Sequence, residues 1–200
     1  YYQKGEEASS DCCFPNRVEE VIILSHAISA LEKAPRAHYY LGCLFYDKKQ
    51  YEKAVRHWET SVQEDPKFAM AYRNLAIAYY NKEKDMEKAL TSMKKALDLD
   101  PEYSRFLLEY DQLCSKAGVS NEDRLALLEE RVSLAEDRDA LYVEYITLLN
   151  NTCQYDKALS CLSSHRFHPW EGGEGKVSTQ YRYALTQKAI QLLENGQYDE

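Results

Sequence analysis

The sequence predicts an all-α protein whose helices stack in antiparallel pairs as an α-solenoid. Three observations lead to this fold class: a five-residue motif recurs along the chain, small and aromatic residues recur in step with it, and glycine and proline are scarce. The 200 residues include only 7 glycines and 5 prolines, whereas an all-β protein would need more of both in its turns. Hydrophobic residues make up 44% of the chain, which is enough to build a continuous core.

A five-residue motif carries the repeat. It begins with Gln or Asp, continues with Tyr or Met, an acidic residue and Lys, and ends with Ala; its copies occupy residues 50–54, 85–89 and 154–158, and a fourth begins at 197–200. Ala54 and Ala89 are 35 residues apart, and Ala89 and Ala158 are 69 apart, which is two periods around a diverged copy. Tyr155 and Tyr198 are 43 residues apart, so the last period contains an insertion of roughly eight residues. A period near 35 indicates one helix pair per repeat.

Residues of fixed size recur in step with this motif. Small residues are predicted to lie where two helices cross; they are Gly42, Ala54, Ala76, Ala89 and Ala158. Aromatic residues are predicted to fill the gaps between units; they are Phe45, Trp58, Tyr72 and Tyr79. Pro66 and Pro101 end the first two units, because Pro cannot continue a helix. The arrangement resembles the tetratricopeptide repeat (TPR) pattern, and this resemblance implies a right-handed superhelix that works by binding another molecule.

Periodicity and capping signals place the helices. Residues 1–35 are predicted to form an N-terminal segment with one amphipathic helix near 17–33, and residues 36–200 to form the repeat array. Within the array we predict helix pairs at 36–64, 69–98, 102–136 and 138–163, a loop at 164–177, and the start of a fifth pair at 178–194. The third pair is broken at 117–119, and Ser120 is predicted to cap its second helix, with Asp123 completing a capping box. In the N-terminal helix, the residues predicted to face inward are Val18, Val21, Ile22, Ala27, Ile28 and Leu31.

The predicted loop has an unusual composition, because three of the seven glycines lie at 172–175. Gly175 and Lys176 resemble the end of a phosphate-binding loop, but that loop requires Gly where this chain has Trp170. Two interpretations remain. Either the aromatic residues pack the loop onto neighbouring helices, or the loop presents His168, Trp170, Glu171 and Lys176 to a ligand or a neighbouring domain. We expect residues 167–170 to dock on the helices and residues 171–176 to form an exposed tip.

The string from Phe167 to Lys176, placed after four repeats, also resembles a family of large bacterial proteins. In that family a domain of uncharacterised function precedes the TPR region. The resemblance covers roughly residues 36–200, and it implies a bacterial origin and a further domain upstream of Tyr1, but no established activity. Because the fourth copy of the motif is cut at Glu200, we also expect the natural protein to continue past this residue.

Charge and composition exclude several classes of partner. The chain has 33 acidic and 25 basic residues and a net charge of -8, which argues against binding to nucleic acid. No apolar run approaches the roughly 18 residues of a membrane helix, so no membrane contact is predicted. Six cysteines at irregular spacing are expected to be reduced and mostly buried in a cytoplasmic protein; they are Cys12, Cys13, Cys43, Cys114, Cys153 and Cys161.

No set of residues has the spacing of a catalytic or metal site. Cys153, Cys161, His165 and His168 match no standard zinc module. No acid–base or nucleophilic set is recognisable, and the carboxylates are explained as helix surface. The sequence therefore predicts a protein that is not an enzyme and that uses no metal or cofactor.

First helices of TPR units line an inner groove, and their outward residues select the partner. The candidate partner-binding residues on these helices are Tyr39, Tyr46, Arg73, Asn74 and Tyr80. TPR proteins that hold the C-terminal carboxylate of chaperones use Lys and Asn where this chain has Tyr39 and Cys43. Asn74 and, approximately, Arg105 match that clamp, whereas Glu109 opposes its charge. The resemblance to this clamp is incomplete, so chaperone C-termini are not the expected ligand.

Two functions remain open at this point. In the first, the array is an interaction scaffold that binds a partner protein or peptide through a groove rich in Tyr. In the second, it is an intramolecular scaffold whose loop at 164–177 completes a ligand pocket on an upstream domain, with carbohydrate as one candidate ligand.

Overall fold

The computed structural model describes residues 1–8 and 13–196 of the chain. All regular secondary structure in these residues is helical, and no strand occurs in them. The helices are α1 (Tyr2–Glu7), α2 (Glu19–Ala30), α3 (Pro35–Asp47), α4 (Tyr51–Glu64), α5 (Ala69–Ala78), α6 (Met86–Leu99), α7 (Ser104–Lys116), α8 (Asn121–Glu129), α9 (Val132–Glu136), α10 (Asp139–Asn151), α11 (Tyr155–Ser164) and α12 (Lys176–Glu194). A π turn at Tyr79–Glu83 extends α5. The predicted fold class, an all-α solenoid of helix pairs, is confirmed.

Two compact units divide the chain, at Tyr1–Pro101 and Glu102–Glu200. In the first unit, α3 packs on α4 and α5 on α6, as the two clear repeats predict. The small residues lie at the crossings: Ala54, Ala76 and Ala89 are fully buried, and Gly42 lies against Trp58. The fourth copy of the motif, at 197–200, lies outside the described residues.

In the second unit, α10 packs on α8, α9, α11 and α12 and supplies much of the core. Its buried side chains include Tyr142, Tyr145 and Leu149, and Ala158 of α11 is fully buried beside them. The third pair differs from the prediction, since its second helix ends at Glu129 and a short α9 follows. Ser120 caps α8, because its hydroxyl accepts a hydrogen bond from the Asp123 amide (3.1 Å). The Asp123 carboxylate accepts from the same hydroxyl (2.7 Å) rather than from a cap amide.

The N-terminal segment departs most from the prediction. It contains α1 as well as α2, and the Glu6 carboxylate of α1 accepts hydrogen bonds from the Arg36 and Ala37 amides at the start of α3. In α2, only Ala27 is fully buried, with Leu24, Ile28 and Leu31 packed beside it. Val18 and Ile22 are 69% and 75% exposed, so the prediction that they face inward is wrong. The packed face is narrow because α2 lies against α3 alone among its major helix contacts.

No helix in the described part of the chain is both long enough and apolar enough to cross a membrane.

Candidate functional site

The first candidate site is the face that α3 and α5 share in the first unit. One polar contact joins α5 to α3 there: the Asn74 side-chain amide donates to the Cys43 sulfur (3.5 Å). Within α5, Arg73 donates to the Asn74 side-chain oxygen (3.2 Å). We call the set Tyr39, Cys43, Tyr46, Arg73, Asn74 and Tyr80 the first-helix face. The structure therefore brings Asn74, with Arg73 beside it, to Cys43 of the preceding repeat.

Two of these residues are more buried than the sequence analysis expects. The side chain of Tyr39 is only 5% exposed, because its ring packs on Phe68 with the ring centres 4.8 Å apart. Burial and the nearby Cys43 raise the pKa of Tyr39, so its phenol stays protonated. Asn74 is 9% exposed. Both residues form the floor of the first-helix face rather than its surface.

The aromatic part of this face is formed by Tyr46 and Tyr80, which are both half-buried. The Tyr46 ring packs on Tyr51 and Trp58, with ring centres 5.0 and 5.5 Å away. The Lys82 ammonium, in the π turn, lies 4.0 Å from the centre of the Tyr51 ring, a cation–π distance. Tyr80 lies in the same π turn, a feature that often occurs at functional sites.

The chemistry of this face suits binding rather than catalysis. Burial raises the pKa of Cys43 to about 11, so its thiol is protonated near neutral pH and is a poor nucleophile. Half-buried Tyr and Arg side chains, in contrast, are the types that contribute most at protein interfaces. What the face offers is aromatic surface, an amide and cationic groups.

The second candidate site is the loop between α11 and α12, which runs from 165 to 175. Asp139, the first residue of α10, fixes it: its carboxylate accepts from the His168 amide (2.7 Å) and contacts the rings of His165 (2.7 Å) and His168 (3.3 Å). Partial burial alone would raise the pKa of Asp139, but the hydrogen bonds from His165 and His168 outweigh it and lower that pKa. The carboxylate is therefore held in its charged form.

Aromatic packing and glycine geometry complete the shape of the loop. The Phe167 ring packs on His165 and Tyr142, with ring centres 4.6 and 6.1 Å away. The Trp170 indole lies so close to Gly173 that an added Cβ would come within 2.3 Å of it. Gly175 has a φ of +73°, a left-handed conformation that favours glycine.

An open cleft of about 580 Å³ lies between this loop and the start of α12. Its lining includes Phe167, His168, Trp170, Glu174, Ser178 and Tyr181. Among the predicted loop residues, His168 and Trp170 line the cleft, whereas Glu171 and Lys176 are exposed and lie outside the lining. The sequence analysis missed Glu174 and Tyr181. A helical projection from Lys176 could have indicated Tyr181, which lies on the same face of α12 as Val177 and Ser178.

The cysteines and histidines form no metal site in the described residues, where no cluster of three His, Cys, Asp or Glu could hold a metal ion. The five described cysteines are free. Only Cys114 is fully buried, and Cys13 and Cys153 are exposed, so the expectation of mostly buried thiols is wrong. Cys12 lies outside the described residues.

Known protein families and solved structures match the repeats of this chain. The family model described as TPR repeat matches residues 42–83, which span α3 to the π turn. This part of the chain therefore resembles a tetratricopeptide repeat. Among solved structures, the TPR protein YrrB superposes with a TM-score of 0.63 at 18% identity, over 88% of this chain and 85% of YrrB. MamA superposes with a TM-score of 0.56 at 13% identity, over 86% and 88% of the two chains. At these identities the likeness shows the TPR fold.

Two of the curated proteins that match cover only part of this chain. Mitochondrial import receptor subunit TOM70 of Saccharomyces cerevisiae is 36% identical over 69 residues, which cover 34% of this chain and 10% of TOM70. Hsp70-Hsp90 organizing protein 2 of Arabidopsis thaliana is 36% identical over 77 residues, or 34% of this chain and 13% of that protein. The chain thus matches only about a tenth of the length of these relatives.

Proposed function

We propose that this chain is a protein-interaction scaffold and that the first-helix face binds a partner protein or peptide. The names of its relatives support this assignment at the level of class: one is an import receptor subunit and another is an Hsp70-Hsp90 organizing protein. The description of YrrB includes an unusual peptide-binding site. These properties belong to those proteins, and the residues of this chain provide the more specific argument.

The observation that carries the proposal is the polar link between α3 and α5. Asn74 is almost fully buried and is bonded to Cys43 on one side and Arg73 on the other. The bond to Cys43 crosses from α5 to α3, whereas Arg73 lies beside Asn74 on α5 and satisfies the amide oxygen. Breaking the bond to Cys43 would leave a buried amide donor unpaired, so this contact favours one register of the two helices. That register sets the positions of Tyr46 and Tyr80, whose half-buried rings provide apolar surface for a peptide.

The partner expected here is an extended or helical segment recognised through aromatic and polar contacts. Tyr39 and Cys43 replace the Lys and Asn of a terminal-carboxylate clamp, so a free C-terminus has no full binding set on this face. Rings on neighbouring first helices instead suit side chains spaced along a peptide.

A photo-crosslinker tests this assignment without removing an aromatic ring. We would place p-benzoylphenylalanine at Tyr80 and, as a matched control, at Tyr183, which is 43% exposed on α12. Irradiation in a bacterial lysate, the source that the sequence resemblance implies, should give discrete protein adducts from position 80 and not from 183. Adducts of equal yield and identity at both positions would contradict binding at the first-helix face.

A second candidate function is favoured by the fixed geometry of the loop at 165–175. Three contacts to Asp139 hold a segment that would otherwise be free to move, as expected if the loop completes a pocket on an upstream domain. Co-expression of this chain with an upstream domain of the kind that the sequence resemblance implies tests this function. Loss of their association on Trp170→Ala, but not on Tyr183→Ala, would support it.

A further inference from the structure

We propose that the cleft between the loop and α12 binds the ring of an uncharged sugar, with the pyranose face on Trp170 and its hydroxyls on Glu174. All lining residues belong to one unit of this chain, and none belongs to the first-helix face. The proposal therefore stands apart from partner binding at that face. It deepens the second candidate function and rests on its assignment of the loop to a ligand pocket, for which carbohydrate is one candidate.

The first argument is that the cleft is built before any ligand arrives. The Asp139 carboxylate holds the loop through His165 and His168, and Phe167 packs between the aromatic rings behind it. The Trp170 ring rests on the Gly173 backbone at a distance that excludes any larger residue there. A binding site with fixed rings loses little conformational freedom on binding, so less of the interaction free energy is offset by ordering the site.

The second argument is the mixture of surfaces that the cleft offers. Trp170 and Tyr181 provide flat apolar faces, and the half-buried indole leaves part of its ring open. Glu174 is exposed and offers carboxylate oxygens to hydroxyl donors. The Ser178 hydroxyl donates to the Gly175 carbonyl (3.0 Å), so its oxygen is oriented to accept from a ligand. A volume of about 580 Å³ is within the usual range for small-molecule sites.

The third argument is charge. Among the described residues, no lysine or arginine lines the cleft, and Glu174 is acidic, so a phosphate, sulfate or carboxylate ligand is disfavoured. A quaternary ammonium would use the ring faces and Glu174 but has no N–H to donate to the Ser178 hydroxyl oxygen. A sugar uses both kinds of group, because it has an apolar face and a rim of hydroxyls that donate and accept.

Nuclear magnetic resonance of the tryptophan indoles can test this directly. The chain has two tryptophans, so Trp58 serves as an internal control; it is 3% exposed and donates to the Tyr39 carbonyl (3.1 Å). The probes are the methyl pyranosides of glucose, galactose, mannose and N-acetylglucosamine. We expect at least one to shift the Trp170 indole signal with a millimolar Kd while Trp58 does not move.

Three variants locate the interaction. Glu174→Gln should weaken binding about fivefold, because it removes the charge from the hydrogen-bond acceptor. Glu171→Gln, a matched change at an exposed loop residue outside the lining, should leave the Kd unchanged. Gly173→Ala keeps every polar group but displaces the indole, and it should also weaken binding.

Several outcomes would overturn the proposal. They are no Trp170 shift with any of the four pyranosides, equal losses in Glu174→Gln and Glu171→Gln, or a shift with tetramethylammonium chloride in place of the sugars. If Gly173→Ala disorders the loop, the comparison of Glu174→Gln with Glu171→Gln still shows whether the sugar binds at Glu174. A failed sugar titration would leave docking of an upstream domain standing, because co-expression measures that separately.

Discussion

In the third repeat, a buried ion pair occupies the place that two small residues hold in the second. Asp111 and Arg124 lie 35 residues after Ala76 and Ala89, the small residues at the preceding crossing. Arg124 binds the Asp111 carboxylate through two hydrogen bonds, of 2.9 and 2.7 Å, and Asp111 is fully buried. The third repeat thus has a charged pair at the helix crossing where the second repeat has two alanines. This difference explains why the sequence of the third repeat is diverged.

Removing one partner of the ion pair should destabilise the fold strongly, whereas replacing both partners with apolar residues should change its stability little. Asp111→Leu would leave the Arg124 charge buried without a partner, so we expect the free energy of unfolding to fall by about 3–5 kcal/mol. Adding Arg124→Met should restore most of the loss, because two apolar side chains of similar volume remain. Urea unfolding followed by circular dichroism measures both. If the double variant is less stable than the single one, the buried charge is not the cause.

Gly42 and Trp58 form a matched pair at the first crossing. An added Cβ on Gly42 would come within 2.3 Å of the Trp58 indole, so Gly42→Ala should lower the free energy of unfolding by about 1–3 kcal/mol. In the second repeat the corresponding residues are Ala76 and Met93, and both are fully buried. The double variant Gly42→Ala, Trp58→Met should therefore lose less free energy of unfolding than the sum of the losses in the two single variants.

Thermal melting of these variants checks the expected coupling. Gly5→Ala is the matched control, since nothing lies within 4 Å of a Cβ at that position. A control loss as large as that of Gly42→Ala would mean that the indole contact is not responsible.

At the scale of the helix, the ends of the first helices share a backbone conformation. Lys49, Lys84 and Cys153 have φ of +60°, +59° and +61°, and Gly118 has +79° at the corresponding place in the third repeat. Gln50 donates to the Phe45 carbonyl (2.8 Å), which closes the first helix as a Schellman motif. This regularity is invisible in the residue types, because Lys, Gly and Cys occupy equivalent positions.

Glycine should be favoured at each of these helix ends. Lys49→Gly is expected to raise the free energy of unfolding by about 0.5–1 kcal/mol, because relief of the left-handed conformation exceeds the added chain entropy. Gly118→Ala should lower it by about 1 kcal/mol for the converse reason. Lys48→Gly is the control: Lys48 has a φ of -79°, so glycine relieves nothing there. A gain of equal size at Lys48 would contradict the conformational explanation.

The loop should respond to pH through Asp139. The pKa of Asp139 is lowered in the folded protein, so the ionised carboxylate stabilises the fold. This stabilisation is complete above the ordinary pKa of 3.8 and is lost as pH falls through the lower pKa of the folded state. In a Trp58→Phe background, Trp170 emission should stay constant from neutral pH to about pH 4 and shift to the red below it.

Asp139→Asn should produce part of that red shift at neutral pH, because the hydrogen bonds to His165 and His168 lose their charged acceptor. The control Asp137→Asn changes an exposed carboxylate two residues away and should leave the emission unchanged. Emission that is independent of both pH and Asp139 would show that other contacts hold the loop.

Across the molecule, the sequence predicts the helices that recur with the repeat, and it predicts poorly the contacts that occur at a single place. The motif spacing places α3 to α6, α10 and α11 correctly, because each helix depends on small and apolar residues at a fixed period. Val18 and Ile22 have a helical period too, but only a packed neighbour decides which face is buried. Tyr39 shows the same limit, since its burial depends on Phe68 of the next repeat.

The candidate sites follow the same rule. The repeat predicts the helices that carry Cys43 and Asn74, but these two residues are less than one period apart, so the spacing does not predict their hydrogen bond. The cleft residues Glu174 and Tyr181 belong to an insertion with no equivalent elsewhere in the chain. Their positions depend on the contacts to Asp139, which have no signature in composition or spacing.

Stability should also be uneven along the chain, because each helix of a solenoid gains stability only from the neighbours it packs on. α10 has eight buried residues, whereas α2 has one, Ala27, and α12 has one, Ala184. Backbone hydrogen bonds of a helix open with a free energy that follows its buried contacts. We therefore expect amide hydrogen exchange, measured by mass spectrometry, to be slowest in 139–151 and faster by about tenfold or more in 19–30 and 176–194.

The variants described above sharpen this test. Asp111→Leu should accelerate exchange in α7 and α8, where the ion pair lies, while α3 and α4, which belong to the other compact unit, keep their rates. Uniform acceleration over 35–64 and 104–129 would mean that the chain opens as one cooperative unit. Exchange in 19–30 as slow as in 139–151 would likewise contradict a stability profile set by local burial.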